Sequence, residues 1–98
     1  MKVSNKMMIV DFCRKHARAT NSFAKWLDEV INAEWEDHME LKELFPHADY
    51  VGNGRYVFNV SGNKFRLVAL VLFVDGKLDV RYVGTHADYS KLKNCSEL

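Results

Sequence analysis

Two tight-turn signals divide the second half of the chain into three strand-like runs, and they constrain the fold more than any other feature. The runs are rich in Val, Phe, Tyr and Leu and cover residues 55–60, 65–74 and 78–85. Asp75-Gly76 is typical of a two-residue hairpin loop, because both turn positions need a positive φ angle. Gly62-Asn63 predicts a second tight turn. The pattern therefore predicts a three-stranded antiparallel sheet.

The first half of the chain carries the periodicity of helices instead. Apolar side chains recur at spacings of three and four over residues 5–18, and again from Phe23 to Ile31. Asp37 precedes Glu40 by three residues, a capping-box-like pair that opens a short third helix, and Pro46 ends it. We expect Trp26 and Trp35 to pack in the core.

A chain of 98 residues can bury one hydrophobic core but not two. We therefore expect a single α+β domain, with N-terminal helices packed on one face of a small three-stranded antiparallel sheet. Its helical part is residues 1–46, its sheet residues 55–85, and a short C-terminal helix follows over residues 86–93. Thr85 is the expected N-cap of that last helix, with Asp88 in its first turn.

The two turns also assign residues to the faces of the sheet, because directly opposed residues share a face. The two-residue loops set Leu70 opposite Arg81, and Arg66 opposite Thr85. One face is then uniformly apolar, with Tyr82 on it, and the helices should cover it. The other, which we call the arginine face, carries Arg55, Arg66 and Arg81. Guanidinium groups bind phosphate oxygens bidentately, so this face suits an anion, although a solvated face can also hold scattered charges.

His86 and Tyr89 follow the last strand with helical i, i+3 spacing, which puts both side chains on one side of the last helix. Histidine is the usual residue for proton transfer near neutral pH, and tyrosine can stack on a base or donate a proton. The alternative is a surface histidine beside a tyrosine that packs over the sheet edge. In the predicted register Thr85 lies opposite Arg66. Because His86 follows Thr85 directly, His86 and Tyr89 should lie close to the arginine face.

The remaining composition argues against several other classes of protein. The four histidines and two cysteines show no metal-ligand spacing, so we expect no metal and no other cofactor. Cys13 and Cys95 are expected to be free thiols. No apolar run resembles a signal peptide or approaches the ~18 residues of a membrane span, which predicts a cytoplasmic protein without membrane contact.

Three stretches resemble the HigB-type toxins of bacterial toxin–antitoxin pairs. They are Leu41-Lys42-Glu43-Leu44-Phe45-Pro46, the run from Arg55 to Leu67 (RYVFNV followed by GNKFRL), and Tyr82-Val83-Gly84-Thr85-His86-Ala87-Asp88-Tyr89. The resemblance covers about residues 35–92. Ser90 departs from it, since the family pattern often has an acidic residue there.

The resemblance implies a RelE-like fold and an endoribonuclease that cleaves mRNA on the ribosome without a metal. On this hypothesis Arg66 and Arg81 bind phosphate and stabilise transition-state charge, His86 is the general acid or base, and Tyr89 stacks or assists proton transfer. Further RNA contacts are expected from Arg55, Asn59 and Lys64. The implied partner is a HigA-type helix-turn-helix antitoxin in a toxin–antitoxin hetero-oligomer.

Two other functions stay open on the sequence. The arginine face could belong to a non-catalytic module of the same fold that binds RNA or an acidic protein. An enzyme acting on a small phosphorylated ligand is the third possibility, which the sequence favours less because no Gly-rich phosphate loop opens a helix.

Overall fold

The computed structural model describes residues 1–98 and places them in one five-stranded sheet covered on one face by helices. The order along the chain is β1 (Lys2–Ser4), α1 (Lys6–Lys15), α2 (Thr20–Ile31), α3 (His38–Leu44), β2 (Asp49–Gly52), β3 (Arg55–Val60), β4 (Phe65–Leu72), β5 (Lys77–Thr85) and α4 (His86–Tyr89). Single 3₁₀ turns cover Ala17–Ala19 and Cys95–Glu97. None of the helices combines the length and apolarity needed to cross a membrane.

The predicted three-stranded antiparallel sheet is wrong, because two edge strands extend it to the mixed order β1-β5-β4-β3-β2. The first, β1, runs parallel to β5 and pairs Val3 with Leu78. A strand of three residues is too short to show a period-two pattern, and its partner lies 75 residues away. Nothing local in the sequence indicates it.

The second edge strand, β2, pairs with β3 across a two-residue loop, Asn53-Gly54. Both loop residues have positive φ angles, 52° and 77°, as the tight hairpin turn requires. An Asn-Gly pair is the sequence signal for this turn, so β2 was predictable. Its short run, Asp49–Gly52, lacks the length of the other strands.

Of the two predicted hairpin registers, one agrees with the structure and the other does not. The β3–β4 register is the predicted one, with Val60 opposite Phe65 and Asn59 opposite Arg66. The predicted β4–β5 register is wrong. Its loop has four residues, with Leu72 opposite Lys77, and a bulge between Val68 and Ala69 shifts the pairing again. As a result Arg66 lies opposite Gly84 rather than Thr85.

The bulge also exchanges two neighbouring side chains between the faces. Tyr82 lies opposite Val68, so it is on the arginine face and not on the apolar face as predicted. Val83 instead lies opposite Leu67 and packs against the core. One inserted residue is enough, because side chains alternate with a period of two along a strand.

The core lies between the helices and the apolar face of the sheet. Trp26 from α2 packs edge to face against Phe58 from β3, with ring centroids 5.3 Å apart. Phe45 packs against the Phe58 ring in the same way, also at 5.3 Å. Both tryptophans are buried, as predicted. The Asp37 side chain caps α3 by accepting from the Glu40 N–H at 3.0 Å, which confirms the predicted helix start.

Asp79 ties β1 to the sheet, and its replacement by alanine should destabilise the fold modestly. Its carboxylate accepts hydrogen bonds from the Ser4 hydroxyl and, at 3.0 Å, from the Asn5 amide, and it also pairs with Arg81. Because the group is partly solvated, we expect Asp79→Ala to lower the free energy of unfolding by about 1–2 kcal/mol in urea titrations. Asp75→Ala, at the exposed hairpin tip, should change it by less than about 0.5 kcal/mol. Equal effects would contradict this role for Asp79.

Candidate active site

Arg66 in β4 is a buried cation with no carboxylate partner. Its side chain is only 7% exposed, and the two ion pairs of the chain are Arg14–Asp11 and Arg81–Asp79. The guanidinium donates instead to neutral acceptors, the Phe65 carbonyl at 3.1 Å and the Asn63 side-chain oxygen at 3.5 Å. Burying an unpaired charge is costly, so such a group is a strong indication of a site for an anionic ligand.

His86 contacts this guanidinium directly. Its Nδ1 lies 2.9 Å from Nη2 of Arg66. An arginine side chain only donates hydrogen bonds, so Nδ1 must accept, and the ring hydrogen is then on Nε2. The backbone holds the ring in place, because Thr85 caps α4 by accepting from the Asp88 N–H at 3.1 Å and the His86 N–H bonds to the Lys64 carbonyl at 3.0 Å. The exposed imidazole therefore offers a ligand an N–H donor.

Tyr89 completes the predicted group of three. Cζ of Arg66 lies 6.0 Å from the centre of the Tyr89 ring, in the range of a cation–π contact. Burial, followed by the neighbouring Cys95 thiol and Asp49, raises the pKa of Tyr89, while Arg66 lowers it to a smaller extent. The phenol consequently keeps its proton at neutral pH and is a donor. Arg66, His86 and Tyr89, which the sequence predicted to be neighbours, are neighbours.

Tyr82 adds a second phenol to this end of the arginine face. Burial, then the charges of Asp88 and Cys95, raise the pKa of Tyr82, so it is also protonated. Its ring leans over the backbone of Gly84, the residue opposite Arg66. A Cβ at Gly84 would come within 2.7 Å of Cζ of Tyr82. Glycine at this position therefore leaves room for the Tyr82 ring beside the residue opposite Arg66.

Gly84→Ala should consequently displace the Tyr82 ring. We expect the free energy of unfolding to fall by about 1–3 kcal/mol, the usual cost of overpacking. The cost should be smaller in a Tyr82→Ala background, where the clashing ring is absent. A double-mutant cycle in urea measures the difference. An equal cost in both backgrounds would show that the ring does not depend on the glycine.

Arg81 and Arg55 lie together at another part of the arginine face, and Arg81 is not in contact with Arg66, although we predicted one group. Arg81 Nε pairs with Asp79, and Arg81 Nη1 donates to the main-chain oxygen of Leu98 at 3.0 Å. Arg55 donates to the same oxygen from Nη2 at 3.0 Å. Even the predicted register set Arg81 opposite Leu70, four residues along β4 from Arg66, so the strand pairing alone did not bring these two arginines together.

The remaining predicted RNA contacts lie nearer to Arg66. Asn59 is directly opposite Arg66 across the β3–β4 ladder, and its amide donates to the His47 carbonyl at 3.4 Å. Lys64 is exposed in the turn before β4, where its carbonyl accepts from the His86 N–H. Both positions border the cluster, and neither side chain hydrogen-bonds to Arg66, His86 or Tyr89.

Asp49 is a further residue on this face, which the sequence patterns did not indicate. It lies opposite Val57, which places it on the arginine face, and its charge raises the pKa of Tyr89. The Asn53-Gly54 signal would have located β2 but assigned Asp49 to the wrong face, since an irregularity between Tyr50 and Gly52 shifts the register. No group of three His, Cys, Asp or Glu side chains is arranged to hold a metal ion.

Comparison with known proteins identifies the family. Residues 19–92 match the family described as HigB toxin, the RelE-like toxic component of a toxin–antitoxin system. The chain belongs to the HigB toxin family. The match includes Arg66, His86 and Tyr89, together with both predicted RNA-binding positions around them. Membership in a toxin–antitoxin family implies an antitoxin as the partner of this HigB toxin.

Individual HigB proteins agree with this assignment. The chain is 46% identical over 92 residues to the mRNA interferase toxin HigB of Escherichia coli K12, an alignment that covers 91% of this chain and 88% of the relative. The mRNA interferase HigB of Escherichia coli O157:H7 gives the same values. A more distant mRNA interferase HigB, from Escherichia coli O6:H1, is 26% identical over 94 residues, which cover 94% and 91% of the two chains.

Proposed function

We propose that this HigB toxin is an endoribonuclease that cleaves mRNA and thereby inhibits translation. The observation that carries the proposal is the buried, unpaired guanidinium of Arg66 in contact with the His86 imidazole. A phosphodiester supplies the anion that this cation lacks. The relatives, which are named mRNA interferases, point to the same substrate.

The proposed reaction is attack of a ribose 2′-oxygen on the adjacent phosphorus. The O2′–P bond forms and the P–O5′ bond breaks, which leaves a 2′,3′-cyclic phosphate and a 5′-hydroxyl. Arg66 would stabilise the charge that develops on the phosphorane oxygens. His86 would hydrogen-bond the leaving oxygen through Nε2–H, and Tyr89 would transfer its phenolic proton to that oxygen.

The cluster around Arg66 contains donors but no free acceptor, so a base must come from elsewhere. Nδ1 of His86 is occupied by Arg66, and Tyr82 and Tyr89 are protonated. Asp49 lies on the same face, and its negative charge raises the pKa of Tyr89. We assign it as the acceptor of the 2′-hydroxyl proton. No step of this scheme requires a metal.

The cellular setting belongs to the same proposal. We infer that cleavage takes place on the translating ribosome in the cytoplasm, with Asn59 and Lys64 as further RNA contacts beside the cluster. The antitoxin is proposed to be a HigA-type helix-turn-helix protein that forms a hetero-oligomer with this chain. The weak net charge of +1 favours recognition of RNA held by the ribosome over long-range attraction to free RNA.

A reconstituted translation reaction tests the proposal. Purified chain added to ribosomes on a defined mRNA should produce discrete cuts, and the same mRNA without ribosomes should stay intact. A single 2′-O-methyl group at the cut position should block that cut, because it removes the nucleophile. Binding to the ribosome without any cut would favour a non-catalytic module of this fold. Cuts that persist at the methylated position would contradict the 2′-oxygen mechanism.

A further inference from the structure

Two arginines of the arginine face converge on a single oxygen of the chain itself. Arg55 donates to the main-chain oxygen of Leu98 from Nε at 3.3 Å and from Nη2 at 3.0 Å. Arg81 donates to the same oxygen from Nη1 at 3.0 Å. Three N–H groups from two cations around one oxygen form the arrangement by which guanidinium groups hold phosphate oxygens.

Only one of these two arginines has an Asp or Glu partner. Asp79 balances Arg81, and the Ser4 hydroxyl and Asn5 amide orient that carboxylate. Arg55 has no Asp or Glu partner, and its remaining group, Nη1, donates to the Asn53 carbonyl at 2.8 Å. The oxygen of Leu98 is therefore the one acceptor that both arginines share.

The segment that supplies this oxygen, residues 95–98, is held by polar contacts. The Asn53 amide also donates to the Ser96 carbonyl at 3.2 Å, and Cys95 has a side-chain hydrogen bond with Tyr89. The hydrophobic core and the apolar side chains packed against it include no residue of the segment. Each hydrogen bond contributes only about 0.5–1.5 kcal/mol net, or about 1.5–3 kcal/mol where a charged group takes part, so an RNA phosphate can compete with the Leu98 oxygen for the two arginines.

We propose that Arg55 and Arg81 form a second phosphate subsite for the RNA strand, and that residues 95–98 occupy this subsite until RNA displaces them. The inference rests on the proposed function, which it deepens by adding a self-occluded subsite. Arg55 lies opposite Leu70, four residues along β4 from Arg66, or about 13 Å. The subsite therefore holds a different phosphate from the one that is cleaved.

The first test measures binding of a fluorescent, fully 2′-O-methylated oligoribonucleotide, which cannot be cut. The full chain is compared with a chain ending at Asn94, which retains every core residue, and cooperative thermal unfolding confirms that both are folded. We expect the shortened chain to bind about tenfold more tightly, equivalent to ~1.4 kcal/mol. In an Arg55→Ala background the shortening should increase the affinity less, because Arg81 is then the only arginine for which residues 95–98 and RNA compete.

The second test uses a disulfide to hold residues 95–98 against the sheet in the full chain. A Cβ at Gly52 would lie 3.4 Å from Cβ of Ser96, close to disulfide geometry, so Gly52→Cys with Ser96→Cys can link them in a Cys95→Ser background. Comparing the oxidised and reduced forms of one protein cancels any strain at Gly52, whose φ angle is 102°. The oxidised form should bind the oligonucleotide about tenfold more weakly.

The outcomes separate this inference from the proposed function. Equal affinity of the full and shortened chains, or of the oxidised and reduced forms, would overturn the self-occlusion. Unchanged affinity of the shortened Arg55→Ala chain relative to the shortened parent would overturn the subsite. A chain that binds with the expected dependence on residues 95–98 but cuts no mRNA on ribosomes would overturn the proposed function alone.

Discussion

Arg66→Met is expected to reduce mRNA cleavage by on the order of 10²–10³-fold, the cost of removing one charge-stabilising group from a transition state. The change should not unfold the protein. Arg66 is buried without a carboxylate partner, and methionine fills a similar volume without a charge to desolvate. The free energy of unfolding should therefore stay constant or rise.

Cleavage rates in reconstituted translation, together with urea unfolding, measure both parts of this prediction. Arg66→Lys keeps the charge but loses the planar fork, so its activity should lie between those of the parent and Arg66→Met. Arg18→Met is the matched control, since Arg18 is exposed and forms no ion pair. If Arg66→Met cut mRNA at the parental rate, Arg66 would have no part in the chemistry.

His86→Ala is expected to lower cleavage by about 10²–10³-fold, the usual cost of removing one hydrogen-bond donor that stabilises the transition state. Nε2 is the only ring nitrogen available to a ligand, because Nδ1 is bonded to Arg66. The substitution His86→Asn distinguishes the role of Nδ1 from that of Nε2. Its side-chain oxygen can replace Nδ1 as the acceptor for Arg66, but nothing replaces Nε2.

We therefore expect His86→Asn to be nearly as inactive as His86→Ala while RNA affinity, measured with the 2′-O-methylated oligonucleotide, stays close to that of the parent. His47→Asn, at an exposed histidine outside the cluster, is the control and should cut normally. Activity of His86→Asn close to the parental rate would mean that the imidazole only positions Arg66.

Much of the site was predictable because it depends on local geometry. Arg66 lies just after the Gly62-Asn63 turn, whose register was predicted correctly, and His86 and Tyr89 share one turn of helix. The proximity of these three residues follows from short-range rules. Their chemical roles, by contrast, come from the family resemblance and the buried state of Arg66, and they remain proposals.

The errors have a common cause in features that sequence patterns do not encode. A bulge moved Tyr82 and Val83 to opposite faces, and a four-residue loop replaced the expected two-residue turn at Asp75-Gly76. Arg81 contacts Asp79 and the oxygen of Leu98, the latter across 17 residues. The edge strand β1 depends on an even longer separation.

The parallel pairing of β1 with β5 also affects when a newly made chain can complete the proposed site. Val3 must wait for Leu78 before the sheet can close, and the site needs His86 and Tyr89, which are synthesised later still. Contacts of such sequence separation form slowly and only after their distal partner has left the ribosome. On the proposed function, a chain that stops before residue 86 should therefore cleave no mRNA. The proposed site stays incomplete until residue 86 has been synthesised and the sheet has closed.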